Sequence, residues 1–253
     1  MKWASSLLLL AALCRAAPAS GQHGAINLFW DDCGASGSLR KTFACDTNTG
    51  AHVLVGSFIA PGYLVSVSGW TASLELQSAC PAYPDWWKMR TGYCRNGSLN
   101  SSFDFTSGPT SCFDYWQGGA MGMVSMDDPA GRGAVVTLQC AWPVLDPRAG
   151  PIEEGTHVYA FKMVVNNAKT VGPGSCAGCQ DDLCLVLKSI LIHQTPGTPE
   201  GDRWLGNPDL SQVAAWQGGS WSWNHLQPGG VCTGDCPTPV RARTWGQIKS
   251  LYR

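Results

Sequence analysis

Apolar and polar positions alternate along much of this chain. Val158, Ala160, Lys162 and Val164 alternate with Tyr159, Phe161, Met163 and Val165, and a period of two over that length argues strand. Leu183 to Ile192 is nearly all apolar or β-branched, the pattern of a strand buried on both faces. Between them lie the turn-forming run Asn166 to Gly174 and then Cys176, Cys179 and Cys184. The pattern predicts a central hairpin over Gly155 to Gln194, its loop tied by cysteine.

The same period recurs elsewhere. Ala25 to Trp30 and Ala51 to Ile59 read as strands. In Tyr63 to Ser68 and Ala72 to Ser78, Val65, Val67, Leu74 and Leu76 alternate with Ser66, Ser68, Ser73, Glu75 and Gln77. One wet face and one core face is the habit of antiparallel sheets. Ser102 to Thr106 and Phe113 to Trp116 read as short aromatic strands, Gly118 to Met126 resists assignment, and Gly133 to Trp142 alternates again through Val136, Leu138 and Cys140. Turn signals at about every ten residues predict an all-β fold, an antiparallel β-sandwich. Trp245, Ile248, Leu251 and Tyr252 share helical spacing behind a Thr244 cap, so a short C-terminal helix is expected. The domain reading is a sandwich core over 20–194 and a Gly/Trp-rich extension over 195–253 packing on the same domain.

The N-terminus changes the picture of where this sandwich works. Lys2, the apolar run Leu7 to Leu13 and the small-residue site Ala17-Pro18-Ala19 form a signal peptide over residues 1–19. No later run is long and apolar enough to span a bilayer. A secreted, extracellular protein is expected. Charged residues make up 14%, against about 25% in ordinary domains. The formal net charge of −1, without a basic cluster, argues against a nucleic-acid partner.

Export makes the cysteines disulfide candidates. The chain has 12, and Cys14 leaves with the signal peptide, so 12 − 1 = 11 remain. Local spacing suggests a Cys33–Cys45 bridge, at least one bridge in the Cys176, Cys179 and Cys184 group (Cys176 closing on Cys184), and a tight loop closed by Cys232 and Cys236. An odd count leaves a thiol free or joining a second chain, so an oligomer through an unpaired cysteine is a candidate.

Asp31-Asp32-Cys33-Gly34, Phe43-Ala44-Cys45, Asn166 to Gly172, Ser175 to Cys179 and the Trp245 to Arg253 tail resemble a group of uncharacterised secreted bacterial proteins. The resemblance covers nearly all of the mature chain. It implies a bacterial, exported, single-domain protein, and it implies no activity, cofactor or catalytic residue.

The residues themselves assign no cofactor and no metal. Cys176-x-x-Cys179 with Cys184 lacks a nearby fourth zinc ligand, and no βαβ unit supports a redox motif. Asp31-Asp32, Asp127-Asp128, Asp181-Asp182 and Asp46-x-Asn48-x-Gly50 fit ordinary turns better than calcium sites. Paired-carboxylate hydrolysis would have to use Asp85, beside Trp86 and Trp87, or Glu75. The five histidines form no HExxH motif, and there is no G-x-S-x-G elbow.

Tryptophan carries the functional expectation. There are 12, clustered at Trp86-Trp87 and Trp221-Ser222-Trp223. On an extended strand Trp221 and Trp223 share a face. Exposed, such rings stack on sugars, with Asn224 and Gln217 supplying hydrogen bonds; buried, they are core residues with a bonded indole N–H. The reading is a non-enzymatic exported sandwich that binds a glycan or cell-surface component through Trp86, Trp87, Trp221 or Trp223. A glycan-active hydrolase and a surface-layer or filament subunit are the alternatives.

Overall fold

The computed structural model describes residues 25–78, 83–127, 133–142, 150–206, 210–224 and 227–233. Two sheets enclose one core. The smaller has the order β1 (Ile26–Trp30), β3 (Ala51–Ile59), β8 (His157–Asn166), β5 (Leu99–Ser102), antiparallel throughout. The larger runs β2 (Arg40–Lys41), β11 (Val213–Trp216), β9 (Leu183–Gln194), β4 (Val67–Ser78), β7 (Gly133–Ala141), β6 (Met121–Asp127). Short β10 (Arg203–Leu205) also pairs with β9, and β12 (Ser220–Asn224) forms a separate ribbon with β13 (Gln227–Thr233). Among the described strand pairs β2–β11 is the parallel one, and an isolated parallel bridge joins Phe113 to Val158. No α-helix occurs among the described residues, where helical pieces are single 3-10 turns. The expected signal peptide and the expected C-terminal helix lie outside them.

The alternating strands bury one face each. Leu74, Leu76, Val136 and Leu138 from the large sheet meet Leu54, Phe58, Ala160 and Met163 from the small one. Trp70 bridges the layers: its indole N–H donates to the Ala160 carbonyl at 2.8 Å, and its ring meets Phe58 edge-on at 5.3 Å. That donor matters because an unpaired indole N–H at such depth would cost on the order of 1–3 kcal/mol.

Several expectations need correction. The central hairpin does not form. β8 belongs to the small sheet and β9 to the large one, and the segment from Asn167 to Asp182 crosses between layers. Alternation identifies a strand but not its partner, and that connection is far longer than the two to five residues usual in hairpins. The strands expected at Tyr63 to Ser68 and Ala72 to Ser78 become one, Val67–Ser78, after an isolated bridge between Leu64 and Ile152. Phe103 to Trp116 is not strand. It leaves β5, its Phe105 stacks on Tyr159 at 4.3 Å on the outer face of the small sheet, and its Tyr115 and Trp116 turn back into the core beside Trp70. Strands from beyond residue 194, β10 and β11, pair with β9, so the large sheet continues across that boundary.

The disulfides join distant segments: Cys33–Cys112, Cys45–Cys179, Cys94–Cys176 and Cys184–Cys232. The local closures Cys33–Cys45 and Cys176–Cys184 are therefore not made. Cys232 is already joined to Cys184, so it does not close on Cys236, which lies outside the described residues. Two bridges pin the Asn167 to Asp182 crossover. By loop-closure entropy each of these long loops stabilises by about 4–5 kcal/mol, against about 3 for a loop the size of the local one expected. Cys140 is free and buried on β7, and burial pushes its thiol well up, so it offers no surface sulfur for a second chain.

Candidate functional site

Trp86 and Trp87 are not a binding surface. They sit on the 3-10 turn Asp85–Trp87 and are 0% exposed. Trp216, also 0% exposed, stacks on Trp86 at 4.8 Å and on Phe43 at 4.2 Å, and it meets Trp87 edge-on at 5.2 Å. Its indole N–H donates to the Cys179 carbonyl at 2.7 Å. Arg95, fully buried, lies over the Trp86 ring at 3.5 Å and donates to the carbonyls of Trp86, Asn166 and Ala168. Burial lowers its guanidinium to about 10. Gln217 is part of the same knot: its amide donates to the Phe43 and Cys179 carbonyls, and its carbonyl accepts from Phe43 N–H. It is thereby committed to the fold rather than to a ligand.

Neither carboxylate expectation assembles a catalytic pair. Asp85 pairs with Lys88 at 2.7 Å, and Glu75 with Lys188 at 3.4 Å on the outer face of the large sheet. Trp221 and Trp223 run in β12 opposite β13, and their side chains, like that of Asn224, lie outside the described residues. Cys33, Cys112 and His157 lie within metal-ligand distance of one another. Both sulfurs are in one disulfide, so no thiolate is present to hold a cation there. His157 instead bonds Ser57 at 2.9 Å and Asn27 at 3.3 Å beneath the covering loop.

The open aromatic site is elsewhere. On β10, Leu205 is buried while Trp204 is 66% exposed. The indole lies against its own strand: a Cβ added at Gly206 would come within 1.9 Å of the ring edge. Glycine therefore creates the bed for one side of the ring, and the rest of it meets solvent. Tyr63, 49% exposed, stands across a groove of about 360 Å³ whose other walls are Pro61, Gly62, Glu200, Arg203 and Leu205. Arg203 and Glu200 approach each other at 3.8 Å.

Both walls are braced. Gln194, buried at the end of β9, accepts from Val65 N–H at 3.0 Å through its side chain, and Ser66 meets Thr195 at 2.8 Å. Asp202 accepts from Gln194 N–H at 3.0 Å through one oxygen and reaches His193 Nδ1 at 2.9 Å through the other. These bonds hold its carboxyl below the usual range, the His193 bond first. His193 Nε2 meets Thr71 Oγ1 at 3.0 Å. An Asp–His–Thr chain resembles a nucleophile and its base. Thr71 lies in the middle of β4, paired on both sides, so the nearby backbone N–H groups are spent in the ladder rather than free to hold an oxyanion.

Trp204 was not among the expected site residues. The signal was Trp204-x-Gly206, an aromatic and a glycine two apart on one strand face, which is the spacing that lets a ring lie on backbone.

A scan against protein-family models finds no match, and a search of curated proteins finds none. Among solved structures, AvmM, described as catalysing macrocyclization in alchivemycin A biosynthesis, aligns with a TM-score of 0.38 at 10% identity, over 86% of this chain and 92% of that one. A likeness of that degree carries no argument about this chain.

Proposed function

We propose that this is an exported, non-enzymatic β-sandwich protein that binds glycan at the Trp204 groove. The carrying observation is Trp204 itself, a large ring exposed on a rigid strand, seated on Gly206 and facing Tyr63. Trp204 and Tyr63 together expose an aromatic patch on one groove, and such patches mark binding surfaces. The C–H face of a pyranose offers what the indole lacks, and the nearby guanidinium, carboxylate and hydroxyl suit its rim of hydroxyls. The four disulfides among the described residues support an oxidising destination. The hydrolase alternative needs two carboxylates facing each other across a cleft, whereas Asp85 and Glu75 each pair with a lysine instead.

Retention on insoluble cellulose and chitin, followed by depletion from solution, tests this reading. Trp204→Ala should abolish retention. Equal retention of the variant and the native chain would remove Trp204 from the site, and release of reducing ends would favour the hydrolase.

A further inference from the structure

The groove is one end of a longer feature. Strand register places Trp204 opposite Leu191, Leu191 opposite Thr71, Thr71 opposite Gln139 and Gln139 opposite Met123. Directly opposed residues of antiparallel strands point to the same side. These five therefore form one row across β10, β9, β4, β7 and β6 on the outer face of the large sheet. Trp204 is 66% and Met123 64% exposed, Gln139 is exposed, and Leu191 and Thr71 are half-buried.

We propose that this row is a binding track for a flat, extended β-1,4-linked glycan lying across the strands, a proposal that rests on the Trp204 reading. Neighbouring strands stand about 4.8 Å apart, so Thr71 lies roughly 10 Å from Trp204 and Gln139 roughly 14 Å. A β-1,4-linked hexose ribbon advances by nearly one strand spacing per sugar, so consecutive sugars meet consecutive strands. The first stacks on Trp204 and the second crosses Leu191. The third meets the Thr71 hydroxyl, and the fourth the Gln139 amide.

The Thr71 hydroxyl is set in advance. Asp202 draws the imidazole proton to Nδ1, so Nε2 accepts from Thr71 Oγ1–H, and the oxygen's lone pairs are left for a sugar hydroxyl. Sheet twist limits the length of the track. Adjacent strands rotate by roughly 20–25°, so a straight ribbon parts from the face after about four strands. An α-1,4-linked chain coils and falls out of step at once.

Calorimetric titration with cello- and chito-oligosaccharides of two to six sugars, and malto-oligosaccharides of equal length, tests the track. Affinity should rise from two to four β-linked sugars and then level, with malto-oligosaccharides bound at least about tenfold more weakly. Thr71→Val and Gln139→Ala should leave disaccharide affinity within about twofold and weaken the tetrasaccharide about fivefold or more. Trp204→Ala should remove binding at every length. Thermal melts confirm that each variant is folded. Tetrasaccharide affinity unmoved by either track variant, no gain from two to four sugars, or equal binding of maltotetraose overturns the track while the Trp204 reading stands. Binding that survives Trp204→Ala, or no binding of any β-1,4 chain by the native protein, overturns both.

Discussion

Trp216 and Trp204 sit twelve positions apart on two strands that both pair with β9, and they do opposite things. Trp216 closes an aromatic knot in which Trp30, Phe43, Trp86 and Trp87 crowd its ring, and a carbonyl takes its N–H. Trp204 lies on a glycine with its remaining surface in water. The residue type is the same. Neighbours decide which ring holds the fold and which is left for a partner. Packing around Trp216 is reinforced by the Cys45–Cys179 bridge, whose second cysteine supplies that carbonyl.

The comparison breaks first on stability. Trp216→Ala empties the middle of the knot and should cost about 3–5 kcal/mol, a fall of many degrees in melting temperature. Trp204→Ala should stay within about 0.5 kcal/mol, as surface substitutions do. Urea denaturation of the two variants side by side measures the contrast. Similar midpoints would mean that Trp204 also carries packing and that the division between the two rings is false.

Acid sharpens the comparison next, because histidines mark the buried side of it. His52 meets the ring of Phe43 at 4.2 Å and Trp216 at 5.1 Å, and burial lowers its pKa from 6.5; burial does the same to His157 under the Cys33–Cys112 loop. Their folded pKa values lie below the unfolded ones. Below about pH 6.5 the unfolded chain takes up protons that the folded chain still refuses. The stability due to these two groups is thus full above that pH, falls as the pH drops, and levels once the folded pKa values are passed. Urea midpoints measured from pH 7.5 to 5 should decline, and His157→Asn should flatten part of the decline. A flat profile in the native chain would show that neither imidazole is held neutral by the fold.

The division between the two rings also explains what could be read in advance. Strand positions such as Ala51–Ile59 and Leu183–Gln194 follow from alternation, because a period of two is a local property of the backbone. Pairing is not local. Nothing in Val158 to Val165 or Leu183 to Ile192 says that they belong to different sheets, and the cysteine partners follow from that placement. The choice of Trp86-Trp87 as a surface failed for the same reason. Two adjacent tryptophans look alike whether they plug a core or line a groove, and only the arrival of Trp216 and Phe43 from distant segments distinguishes them. Trp204 is the converse case. Its glycine bed is two residues away and legible locally, but its exposure depends on what packs against the outer face of β10, which is not a local property.

The smallest stability effect gives the finest test of that bed. Gly206→Ala places a methyl group 1.9 Å from the Trp204 ring edge, closer than any real contact. The obstacle is the far end of a side chain rather than backbone, so the indole swings away and the fold is spared. The melting temperature should move by no more than a few tenths of a kcal/mol in equivalent stability. Retention on cellulose or chitin should fall sharply, because the displaced ring no longer presents the same face. A double-mutant cycle separates this from a direct role of the glycine. In a Trp204→Ala background the methyl has no ring to push, so Gly206→Ala should add nothing to the loss. If the two losses instead add, the glycine acts on the ligand without the ring, and Trp204 is not the surface that Gly206 exists to seat.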